Sequence, residues 1–134
     1  MKILRFMSNA EFDKYKKGDV LKNDKKHSGF TDSIGFCFLN YEKYEPEYAY
    51  KFLSGIVSED VCVVFETDKT LTKHYGQYAE PYGSFFDTFI ADEYCINEYN
   101  KDDFKLIKYC YDYDKKHWED EEWTWIIERE EENE

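Results

Sequence analysis

Apolar side chains recur along this chain of 134 residues with two periods, and the period assigns the elements. Lys2 to Met7 holds Ile3, Leu4, Phe6 and Met7 in one short run and predicts a first strand. Arg5 lies inside that run, where an arginine snorkels, pairs with an acid or holds a phosphate. Ser8-Asn9-Ala10-Glu11 follows, a serine three residues before a glutamate. That is a capping box, whose side chains satisfy amide groups otherwise orphaned at a helix start. Phe12 and Tyr15 fall on one face of the predicted helix, over 9–17, and Gly18 stops it. Gly35 to Leu39 predicts a second strand. Glu45-Pro46-Glu47 opens a second helix, over 47–57, with proline at a position that needs no amide and acids at the positive end. Tyr48, Phe52 and Ile56 recur every four residues beside Ala49 and Leu53, so this helix is amphipathic.

Val61-Cys62-Val63-Val64-Phe65-Glu66 is continuous and β-branched, the mark of a strand buried on both faces. Asp19 to Asn23 predicts a brief strand, and Lys22 to Gly29 a charged loop that includes His27. Asp68 to Ser84 carries His74, Gly76, Pro81 and Gly83 with little periodicity and reads as a long loop, a place where function concentrates. A strand is expected around Tyr94-Cys95-Ile96, an alternating one over Phe104 to Tyr113, and a last one over Trp123 to Ile127. The expected fold is α+β: one domain over 1–127 with small split β-sheets, two or three short helices and six or more strands. An acidic tail, 128–134, follows it.

Charge sharpens this outline. Glu119 to Glu134 holds nine acids and one arginine, a net −8 of the chain's −12, which leaves −4 for the other 118 residues. The acidity is therefore a C-terminal property and opposes nucleic-acid binding through the tail. The four cysteines, at 37, 62, 95 and 110, form no CxxC and lack a histidine at zinc-ligand spacing. Buried, reduced thiols in a cytoplasmic protein, with no metal, are expected. Met1 to Arg5 lacks the apolar core of a signal peptide, and no run approaches the roughly 20 apolar residues of a membrane span.

Glycine-rich phosphate loops, GxSxG and HExxH are missing. What remains is a distributed order: Arg5 on the first strand, Thr31-Asp32-Ser33-Ile34-Gly35-Phe36 leading into the second, and Asp92-Glu93-Tyr94 at a late one. From Met1 to about Tyr113 this order resembles small bacterial and phage ADP-ribosyltransferase-like proteins of the Arg–Ser–Glu type. The resemblance implies that family's fold, NAD as the small-molecule substrate and an unknown macromolecular acceptor. It gives Arg5 the cofactor phosphates and ribose, and Ser33 the nicotinamide side. Glu93 takes the ribose 2′-hydroxyl as nicotinamide leaves. Phe36 and Tyr48 join the cofactor-binding set, with Tyr44 and Tyr50 as alternatives for stacking on nicotinamide. A fixed carboxylate suits a developing oxocarbenium ion, and an arginine suits a pyrophosphate.

The Ser-Thr-Ser element of that family reads Thr31-Asp32-Ser33 here. The position two before the glutamate, often Gln or Glu in enzymes that modify Arg or Asn, is Ala91, which leaves the acceptor open. Glu98 competes with Glu93 for the catalytic role. The alternative from another class is a non-enzymatic acidic interaction protein, an immunity protein or inhibitor. Its tail would mimic nucleic acid or cover a basic partner, and Trp123 and Trp125 would anchor the contact.

Overall fold

A computed structural model of the chain describes residues 1–23, 35–53, 58–79, 88–113 and 124–129. The elements in order are β1 (Lys2–Met7), α1 (Asn9–Lys17), β2 (Leu21–Lys22), β3 (Phe36–Asn40), α2 (Pro46–Leu53), β4 (Val61–Thr67), β5 (Thr72–Ala79), β6 (Thr88–Ile96), β7 (Glu98–Tyr99), β8 (Phe104–Tyr111) and β9 (Ile126–Ile127). Seven strands form one sheet in the order β5-β6-β3-β1-β4-β8-β9, and β2 pairs with β7 in a small ribbon. Every pairing in the large sheet is antiparallel. None of the helices among the described residues is long and apolar enough to cross a membrane.

This architecture corrects the expected α+β fold with small split sheets. Among the described residues the protein is mostly β, with one seven-stranded antiparallel sheet, a two-stranded ribbon and two helices. The physical reason lies at one edge. Thr72 to Ala79 is an edge strand, and Thr72, Lys73 and Tyr75 are exposed. An edge strand in water has no need of apolar alternation, so its sequence looks like a loop. It forms an eight-residue ladder with β6, from Thr72↔Cys95 to Ala79↔Thr88.

Alternation along β1 divides the interior in two. Ile3 and Met7 join Phe12, Tyr15, Phe38, Val63 and Phe65 on the α1 face. Leu4 and Phe6 join Leu39, Ala49, Tyr50, Leu53 and Val64 on the α2 face. Because both faces of β4 are covered, all of Val61 to Phe65 is inaccessible to solvent, as the unbroken apolar run predicts. Helix α1 begins as expected: the Glu11 amide donates to Ser8 Oγ at 3.1 Å, and Gly18 ends the helix in the left-handed region at φ 89°. The Tyr15 ring meets that of Phe65 at 4.9 Å, and the Phe12 ring meets Tyr109 at 5.0 Å. Burying a side chain such as Phe12 contributes about 2–3 kcal/mol. All four cysteines are free thiols.

Candidate functional site

The register of β3, β6 and β5 builds a polar cluster at one margin of the α2 face. β3 and β6 set Cys37 opposite Cys95 and Leu39 opposite Glu93, and β5 sets His74 opposite Glu93. Side chains two apart on a strand share a face, so Cys37 follows Leu39, while Glu93 and Cys95 follow Ala91. The Cys37 and Cys95 sulfurs lie 3.1 Å apart. His74 Nδ1 lies 3.3 Å from Glu93 Oε2. Donor atoms of Cys37, Glu93 and Cys95 are all within 4.8 Å of one another. Glu93 is 3% exposed and Cys95 is 4% exposed, an unusual depth for a carboxylate.

Beside Glu93 is a cavity of about 50 Å³, walled by Leu4, Phe6, Leu39 and Leu53, with Cys37 at its margin. Burial pushes the Glu93 carboxyl above its ordinary value, and the hydrogen bond and charge of His74 and the contact with Cys37 offset only part of this. The Cys37 thiol is held up by its hydrogen bond with Cys95 and by burial. The same bond lowers Cys95 against its own burial. A hydrogen-bonded thiol pair and a buried carboxylate with a partly exposed imidazole beside it thus meet in one place. Such a cluster offers proton transfer, electrostatic stabilisation of a cation, or metal ligation.

Arg5 and Glu93 both border the cavity, but their side chains leave the sheet on opposite faces. On the α1 face each guanidinium nitrogen donates to a protein acceptor. Its Nε donates to Glu11 Oε2 at 2.7 Å, Nη2 to Glu11 Oε1 at 2.9 Å, and Nη1 to the Cys37 carbonyl at 2.9 Å. The Tyr99 hydroxyl donates to Glu11 Oε2 at 2.7 Å. Phe36 and Phe38 lie against the guanidinium with ring centres at 5.3 and 5.6 Å. Burial opposes charge on both partners, yet the pairing outweighs it, raising Arg5 and lowering Glu11. Arg5 is therefore a structural tie between β1, α1 and β3, and Phe36 belongs to that tie.

Ser33 and His27 lie outside the described residues. Tyr48 packs half-buried against the α2-face core, while Tyr44 and Tyr50 are buried in it. Tyr44 accepts from the Asp92 amide at 3.0 Å, which fixes the strand next to Glu93. Glu98 is exposed on β7, in the small ribbon and away from this cluster. A larger cleft of about 450 Å³ opens elsewhere, lined by Glu66, Asp68, Lys69, Asp102, Lys105 and Arg129 among others. It holds surface charges that pair with one another, such as Lys69 with Asp103 at 3.6 Å, and no deeply buried acid or base. The sequence marks Glu11 through the capping box, His74 through its place in a predicted loop, and Cys37 and Cys95 as buried thiols, but gives none of the four a role in a site. Searches with this chain find no matching protein-family model, no matching curated protein and no matching solved structure.

Proposed function

We propose that this chain acts on NAD, with Glu93 as the carboxylate that faces the ribose while the nicotinamide bond breaks. One observation carries the reading: a carboxylate 3% exposed stands at the wall of an apolar cavity, steadied by His74 at 3.3 Å. The substrate comes from the Arg5–Ser33–Glu93 order that resembles ADP-ribosyltransferase-like proteins, of which this reading keeps Glu93 alone. In the reaction the C1′–N bond breaks and its electron pair goes to the nicotinamide nitrogen. Positive charge grows on C1′ and the ring oxygen, and water or an acceptor nucleophile adds there and loses a proton. A preorganised carboxylate in a dry site opposes that charge more strongly than water does. His74 favours the ionised form of Glu93. At about 50 Å³ the cavity holds a hydroxyl or a water beside the carboxylate and is too small for the dinucleotide, which in this reading would lie outside it. Arg5 takes no part, because Glu11 holds it on the other face.

The test is nicotinamide release from NAD by the full chain. Glu93→Gln keeps volume and removes the charge, and should lower the rate at least about 100-fold, the scale of losing one electrostatic group. Glu98→Gln should leave the rate within about twofold. A rate lost in Glu98→Gln and kept in Glu93→Gln overturns the assignment. Wild type without turnover or NAD binding overturns the enzyme reading and favours the acidic interaction protein.

A further inference from the structure

We infer that Cys37, Cys95 and Glu93 form a site for a thiophilic divalent cation of the zinc class. This goes beyond the NAD reading and does not depend on it. The two sulfurs and the carboxylate come from adjacent strands of one rigid sheet and converge within 4.8 Å. Zinc binds sulfur at about 2.3 Å and carboxylate oxygen at about 2.0–2.2 Å, so a tetrahedral ion separates two sulfurs by about 3.8 Å. The sulfurs are 3.1 Å apart, so the ion needs them to part by about 0.7 Å, within reach of small side-chain rotations. Directly opposed cysteines on neighbouring strands keep both sulfurs on one face, and Glu93 two residues from Cys95 brings an oxygen to the same face. Two thiolates select zinc-like ions over magnesium and calcium, which want oxygen.

A ligating carboxylate is itself hydrogen-bonded in metal sites, and His74 Nδ1 occupies that position at 3.3 Å from Glu93 Oε2. Cys37 is the more accessible of the two cysteines, its partner Cys95 being 4% exposed, so entry is from the Cys37 side. On binding, each thiol gives its proton to solvent and each sulfur gives an electron pair to the ion; no oxidant is needed. The second cross-strand pair, Cys62 opposite Cys110, sits with both residues at 0% exposure, and among the described residues neither belongs to a converging donor cluster. An ion held by Glu93 would occupy the carboxylate that the NAD reading uses, so metal loading should suppress turnover.

The experiment uses the full chain, reduced, stripped with chelator and titrated with Co²⁺ as a probe for Zn²⁺. One Co²⁺ per chain should bind, with sulfur-to-cobalt absorption in the near ultraviolet that Zn²⁺ abolishes. Cys37→Ser and Cys95→Ser should each lose about half of that band, and Cys62→Ala should keep it. His74→Ala should keep the band and bind about 10–100-fold more weakly. If a cysteine variant does not fold, alkylation of wild type decides: Zn²⁺ should protect Cys37 and Cys95 and no other thiol. Absence of the band at saturating Co²⁺, a band unchanged in Cys37→Ser and Cys95→Ser, or protection of Cys62 and Cys110 instead would overturn the site. These readouts do not involve NAD, so failure here and failure of the NAD reading are separable.

Discussion

Replacing Glu11 by Gln tests the reassignment of Arg5 from cofactor ligand to structural tie. The carboxylate receives two bonds from Arg5, at 2.7 and 2.9 Å, and one from Tyr99 at 2.7 Å. Hydrogen bonds to charged groups contribute about 1.5–3 kcal/mol each, and removing one member of a fully buried ion pair costs about 3–5 kcal/mol. The Arg5 and Glu11 side chains keep 18% and 16% of their exposure, so water offsets part of that loss. Gln also retains one acceptor oxygen. The expected cost is about 2–3 kcal/mol, a fall in melting temperature of about 6–15 °C for a domain this size. Differential scanning calorimetry at pH 7 reads it.

The pH dependence gives an independent check on the same pair. Burial alone would raise the Glu11 carboxyl, but the hydrogen bond and charge of Arg5 and the Tyr99 hydroxyl hold it below its ordinary value of 4.5. An acid lowered in the folded state stabilises the fold above its unfolded value, and loses that contribution as pH falls through the folded value. The gap between wild type and Glu11→Gln should therefore be constant above about pH 5.5 and shrink below about pH 4.5. A gap under about 1 kcal/mol at pH 7, the scale of an exposed pair, would refute the tie. So would a gap that does not change down to pH 3.

Two further outcomes follow from the geometry. Glu93 has the opposite sign: burial raises it, so its ionisation withdraws stability as pH rises above the unfolded value. Glu93→Gln should then melt no lower than wild type at pH 8, and its relative advantage should vanish below about pH 4; wild type melting clearly higher at pH 8 would show the His74 contact outweighing burial. Gly35 and Gly18 both have positive φ, but a Cβ at Gly35 would come 2.4 Å from the Ile96 carbonyl oxygen, whereas at Gly18 it would meet only the flexible end of Lys101 at 3.3 Å. Gly18→Ala should cost about 1 kcal/mol, and Gly35→Ala about 3 kcal/mol or more; equal losses in urea denaturation would refute the clash.

Elements with a strong local cause were legible in the sequence. The capping box and Gly18 located α1, Pro46 located the start of α2, and the run from Val61 to Phe65 was recognisable as a strand covered on both sides. The α+β expectation failed where tertiary pairing decides. Thr72 to Ala79 is polar because it lies at an edge, and only its ladder with β6 makes it a strand. The face of Arg5 could have been read: it shares parity with Ile3 and Met7, and Glu11 lies in the first turn of the helix that follows. The cluster around Glu93 had no local signal. Cys37 and Cys95 are 58 residues apart, and they meet only because of the register of β3 on β6.

The proposal that Glu93 faces NAD rests on binding of NAD by the unmodified chain. Isothermal titration of reduced, chelator-treated wild type with NAD should give a saturable isotherm with one site per chain, and AMP at the same concentrations should not reproduce it. A flat NAD titration, or AMP binding as tightly as NAD, would rule out NAD as the ligand of Glu93.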